Sequence, residues 1–134
     1  DYIKYLSSFN FLIDDTIPIL KYLYSKYNLH IITNGFEEVQ NLKLRNSGID
    51  MFFMTVTNSE MAGVKKPNQK IFQLAIKKAN TDFNSSIMIG DNLEADIQGA
   101  LNLGMDAILF NYHKINVPKG VNSINKLHQL KDYL

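Results

Sequence analysis

Thr33 and Asn34 close the apolar run 29–32, and Gly35 follows them directly. A threonine hydroxyl and two backbone amides at such a strand end, just before a helix, can cradle a phosphate. The partial positive charge of the helix N-terminus adds to that hold, and Gly35 lets the backbone come close. The same three residues also serve as an ordinary strand-to-helix turn. Lys66 precedes Pro67, a junction that favours extended backbone for the lysine. Its ammonium can neutralise phosphate charge and charge developing in a transition state, although a single lysine is usually a surface residue. Asp91 follows the apolar run 87–90, and Asp96 lies five residues further on, able to face back to the same point. Two hard carboxylates suit Mg²⁺, which keeps several waters and binds through one or two carboxylates plus phosphate. The alternative is a capped helix, with Asp91 or Asn92 as the cap and Glu94 and Asp96 complementing the dipole. His30, His113 and His128 have no metal-ligand spacing and are assigned to structure or solvent. Lys65, Glu37-Glu38 and Lys77-Lys78 read as solvated charge.

These residues need a frame that brings strand ends together. Apolar runs at 29–32, 52–56, 86–89 and 107–110 have strand length. Between them lie helical patterns. Asp14-Asp15-Thr16 and Pro18 open a helix with Ile19, Leu20, Leu23 and Tyr27 at helical spacing. A second helix spans 37–46 and stops at Ser47-Gly48. Asn68 caps a third, carrying Ile71, Phe72, Leu74, Ala75 and Ile76, and a fourth spans 93–103 up to Gly104. Ser123 caps a final helix with Ile124, Leu127, Leu130 and Leu134. Strands alternating with such helices predict an α/β fold, a three-layer Rossmann-like parallel sheet. Ligands then sit beyond the carboxyl ends of the strands, where Thr33 and Asp91 fall. The longest loop, 58–67, carries Lys66 and reads as functional.

Composition sets the limits. The chain has 134 residues, of which 46% are hydrophobic, enough for one globular domain or most of one. A formal charge of +1 gives no electrostatic case for nucleic acid or a membrane surface. No cysteine is present, which leaves no disulfide framework or thiolate metal site and fits a reducing, cytoplasmic compartment. No apolar run approaches the length of a spanning helix.

The conjunction of Thr33, Lys66-Pro67, Gly90-Asp91 and Asp96 resembles the haloacid dehalogenase (HAD) superfamily of aspartate-nucleophile phosphatases. Thr33 matches its second motif, Lys66 its third, and Asp91 with Asp96 its fourth. Residues 31–36, Gln40, 47–49, Ser59-Glu60, Gly63, Lys66-Pro67 and Ile71-Phe72 are similar to a narrower group, the noncanonical pyrimidine nucleotidases. Those enzymes hydrolyse nucleoside 5′-monophosphates. The resemblance covers roughly residues 15–111.

The resemblance implies roles. Asp91 would hold Mg²⁺, with Asp96 in its outer shell or acting through water. Thr33, Asn34, Gly35 and Lys66 would bind the transferring phosphate. The family's first motif, Asp-x-Asp, has no counterpart here. Asp14-Asp15-Thr16 does not replace it, because adjacent carboxylates point to opposite sides of an extended chain. Residues 1–13 resemble the end of a helical cap and its hinge, and 14–134 the C-terminal part of the core. The chain is therefore expected to be a fragment, inactive alone, whose sheet lacks its central first strand and leaves two strands with open ladders. The partner implied is a small phosphate ester, with no role for nucleic acid or membrane. Alternatives are a sugar-phosphate phosphatase, a mutase, a dehalogenase, or a non-catalytic phosphate- or partner-binding module.

Overall fold

The computed structural model describes residues 3–7, 16–34 and 50–134. Six strands form one sheet: β1 (Ile3–Ser7), β2 (Asn28–Thr33), β3 (Phe53–Asn58), β4 (Ser86–Gly90), β5 (Asp106–Phe110) and β6 (Asn122–Ile124). Their order is β3-β2-β1-β4-β5-β6 and every pairing is parallel. The chain runs outward from β1 through β2 to β3, then returns to the other side of β1 for β4. The order therefore reverses between β1 and β4, and the crevice at the carboxyl ends there is where doubly wound sheets bind ligands.

Side chains alternate across the sheet as the strand period requires. Leu29, Ile31, Ile87, Ile89, Ile108 and Phe110 join one core, with Ile19, Leu20 and Leu23 from α1 (Thr16–Tyr24). Ile32, Met88, Ala107 and Leu109 face the other way, against Ile71, Phe72 and Ala75 of a helix at Gln69–Ala79 and Ile97 and Ala100 beyond β4. Burial on both faces explains why these strands read as continuous apolar runs. The predicted three-layer α/β arrangement is the observed one.

The centre of the sheet differs from expectation. Ile3–Ser7 pairs with Asn28–Ile32 on one side and with Ser86–Ile89 on the other. The slot expected to be empty is thus filled, and neither β2 nor β4 has an open ladder there. Ile-Lys-Tyr-Leu-Ser is compatible with a strand, and a slot with ladders on both sides satisfies every backbone group of a segment that enters it. The end of the expected cap and hinge, residues 8–13, lies outside the described residues, as does the predicted helix 37–46.

The C-terminus also differs. The expected helix after Ser123 is instead β6 followed by a 3₁₀ turn at Leu127–Asp132. β5 presents an open edge to Asn122–Ile124, and sheet pairing there outcompetes the helical pattern. Gln129 Oε1 accepts from the amides of Asn125 and Lys126, which starts the turn three residues later than the sequence implies. The element after β4 begins as a π-helical segment, Leu93–Gln98, and continues as a short α-turn.

Candidate active site

β2 delivers Thr33 to the carboxyl edge of the sheet, fully buried, level with Asn58 at the end of β3. Asn34 follows, exposed, and its side chain clamps the backbone of Lys66 at two points. Its Oδ1 accepts from the Lys66 amide at 2.7 Å, and its Nδ2 donates to the Lys66 carbonyl at 3.3 Å. Ser59 Oγ donates to the Asn34 carbonyl at 3.1 Å, which ties in the segment after β3. The loop that carries Lys66 is thus less irregular than its length implied. It contains the short helix Ser59–Ala62, capped by Asn58 Oδ1 on the Met61 amide at 2.8 Å. Gly35 lies outside the described residues.

Lys66 is not a surface lysine. It is 7% exposed, and its ammonium donates to Asp96 Oδ1 at 2.6 Å and to the Ile32 carbonyl at 3.2 Å. Asp96 comes from the π-helical segment and is fully buried. Its Oδ2 accepts the Asn92 amide at 3.1 Å, and Asn92 Oδ1 in turn caps Ala95 N. Both Asp96 oxygens are therefore engaged by the protein itself, one on an ammonium and one on an amide. The side chain lies against Gly90, where a Cβ would stand 2.3 Å from Asp96 Oδ2. Gly90 is the residue that lets this carboxylate reach the lysine.

Asp91 is one residue beyond β4 and is partly exposed. Its Oδ2 lies 3.0 Å from His113 Nε2, and its other oxygen takes no bond among the described residues. By spacing alone His113 belongs to structure or solvent, yet it meets Asp91. The loop after β5 brings it to Asp91 because β5 lies next to β4 in the sheet. Nothing local in the sequence marks it. His30 is buried and bonded to Thr55, and His128 is exposed.

Among the described residues no three His, Cys, Asp or Glu side chains form a metal-binding group. One carboxylate with a free oxygen at the strand end, beside a buried ammonium, nonetheless fits the mode in which Mg²⁺ takes few protein ligands and completes its shell with water and phosphate. Asp91 is the residue that fits. Asp96 is spoken for by Lys66.

The model of the haloacid dehalogenase-like hydrolase family matches residues 4–110. The chain belongs to that family. Among the relatives of this HAD chain, the pyrimidine 5′-nucleotidase YjjG of Escherichia coli is 34% identical over 122 residues, 88% of this chain and 54% of that protein. The glyceraldehyde 3-phosphate phosphatase of Pyrococcus abyssi is 46% identical over 88 residues, 66% of this chain and 37% of the other. The HAD-hydrolase YfnB from Bacillus subtilis, solved bound to magnesium, superposes with a TM-score of 0.82 at 30% identity, over 90% of this chain and 54% of that one. The chain thus spans about half or less of the length of the relatives named here, and the fold is a partial HAD core. No helix among the described residues is long and apolar enough to cross a membrane.

Proposed function

We propose that this chain is the phosphate- and Mg²⁺-binding part of a cytoplasmic phosphomonoesterase whose substrates are pyrimidine nucleoside 5′-monophosphates. The observation that carries the reading is the buried pair of Lys66 and Asp96 beside Asp91, at the point where strand order reverses. A lysine ammonium held at such a crevice by a buried carboxylate suits a phosphate oxygen. Thr33 contributes its hydroxyl and the Asn34 amide a donor in this reading, and Gly35 is the next residue of the same Thr-Asn-Gly run. Asp96 holds the Lys66 ammonium in place and leaves metal binding to Asp91. Bound at Asp91, Mg²⁺ would neutralise charge on the phosphate.

The reaction cleaves the P–O ester bond with water, releasing an alcohol and inorganic phosphate. The nucleophilic carboxylate is not among these residues, since the sequence contains no Asp-x-Asp. In this reading a segment outside the 134 residues supplies it and takes the central slot that Ile3–Ser7 fills here, so the 134-residue chain alone is inactive. Likeness to YjjG over 122 residues supports a nucleotide substrate. A second reading, a triose- or sugar-phosphate substrate, is favoured by the 46% identity to a glyceraldehyde 3-phosphate phosphatase.

Phosphate release from uridine and thymidine 5′-monophosphates and from glyceraldehyde 3-phosphate separates the two readings. It should be assayed with and without Mg²⁺, on this chain and on an N-terminally extended form. Mg²⁺-dependent release from the nucleotides by the extended form alone is the expected result. Preference for glyceraldehyde 3-phosphate would replace the substrate class. Activity of the 134-residue chain would overturn the missing nucleophile.

A further inference from the structure

The loop after β5 is built rather than slack. Asn111 N donates to the Ile124 carbonyl at 2.8 Å, which fixes the loop to β6. The Asn111 side chain closes it, with Oδ1 accepting from Ile115 N at 3.0 Å and Nδ2 donating to Ile115 O at 3.1 Å. Between these points Lys114 takes a left-handed backbone, φ 54°, which turns the chain sharply. Tyr112 packs on Phe110, ring centroids 5.8 Å apart, and meets His113 edge-on at 5.5 Å. The result places His113 Nε2 on Asp91 Oδ2 across two neighbouring strands. The imidazole is otherwise open to solvent, 57% exposed, so burial does not hold it there.

We propose that His113 is a positioning residue for the metal ligand Asp91. An ionised carboxylate only accepts hydrogen bonds, so the ring presents Nε2–H to Oδ2. That bond fixes the carboxylate plane and leaves the second oxygen to meet a divalent cation. Carboxylates that ligate metals are commonly held in this way, and losing the outer partner weakens metal affinity about 10- to 100-fold. The inference rests on the reading of Asp91 given above.

The test is Mn²⁺ binding to the 134-residue chain, followed by the loss of the free-ion electron paramagnetic resonance signal and by Mg²⁺ competition. Four proteins are compared: wild type, Asp91→Asn, His113→Ala and His113→Gln. Asp91→Asn should abolish the Mg²⁺-competable site. His113→Ala should weaken it about tenfold, and His113→Gln, which keeps an N–H donor, should recover most of that loss. Thermal midpoints should stay together, since His113 is exposed. If Asp91→Asn abolishes binding while His113→Ala leaves it unchanged or tighter, the role of His113 is overturned and the Asp91 reading stands. If wild type binds no Mn²⁺, or Asp91→Asn binds as wild type does, both fall.

Discussion

Lys66 Nζ and Asp96 Oδ1 stand 2.6 Å apart, with their side chains 4% and 1% exposed. The lysine arrives from the loop after β3 and the aspartate from the segment after β4, so the contact spans the sheet's switch point. Each partner is further satisfied, Lys66 by the Ile32 carbonyl and Asp96 by the Asn92 amide. Such a pair adds little net stability over an apolar replacement, yet removing one member strands the other charge. Lys66→Met or Asp96→Asn alone should each lower the unfolding free energy by about 3–5 kcal/mol. The double change Lys66→Met/Asp96→Leu should cost clearly less than the sum. Urea unfolding of the three variants decides it, and additive single effects would show that the charges do not depend on each other.

Gly90 is the floor under Asp96. A Cβ there would fall 2.3 Å from Oδ2, 2.5 Å from Cγ and 2.6 Å from Cβ of that aspartate, so the side chain must move. Gly90→Ala is expected to cost about 1–3 kcal/mol through overpacking and to detach Asp96 from Lys66. Vanadate, a phosphate mimic, should then bind more weakly to an N-terminally extended form. Unchanged urea midpoint and vanadate affinity would mean that Asp96 has another place to go.

Asn34 acts on Lys66 through its side chain, whatever its own amide does for phosphate. Asn34→Ala removes both clamp bonds and should cost about 1 kcal/mol. Amide hydrogen exchange at Lys66 should accelerate, because its N–H loses the Oδ1 acceptor. Protection at Lys66 equal to wild type would contradict the clamp.

His30 makes stability depend on pH. It is 1% exposed and its Nδ1 lies 2.7 Å from Thr55 Oγ1. Burial first, and then the nearby Lys78 ammonium, push its pKa down from 6.5 to about 4. The folded pKa lies below the unfolded one, so the unfolded chain binds the proton first as pH falls. Its full contribution is present above pH 6.5 and is lost progressively down to pH 4, on the order of 3 kcal/mol in all. His30→Gln should flatten that part of the curve of urea midpoint against pH. An equal slope in the variant would assign the acid sensitivity to other groups.

Much of the fold was legible because its signals are local. The runs at 86–89 and 107–110 fall within β4 and β5, and Asn68 caps the helix at Gln69–Ala79 by accepting from Lys70 N. Where local pattern and an open sheet edge disagreed, the edge prevailed. Ser123 and Ile124 carry a helix signal yet pair with β5, because a ladder of backbone hydrogen bonds outweighs a cap. Ile3–Ser7 followed the same logic at the centre of the sheet.

The sequence by itself determined which residues reach the carboxyl ends of strands: Thr33 after an apolar run, Asp91 after another, and Lys66 and Asp96 near them. Strand periodicity and chain direction are properties of a few consecutive residues, and they suffice to place a side chain at an end. Tertiary structure alone decided who meets whom there. Lys66 finds Asp96 because β2 and β4 flank β1, Asn34 turns its side chain to the Lys66 backbone, and His113 reaches Asp91 because β5 lies beside β4. Those neighbours are set by strand order and register, which depend on pairings between distant segments that no local spacing encodes.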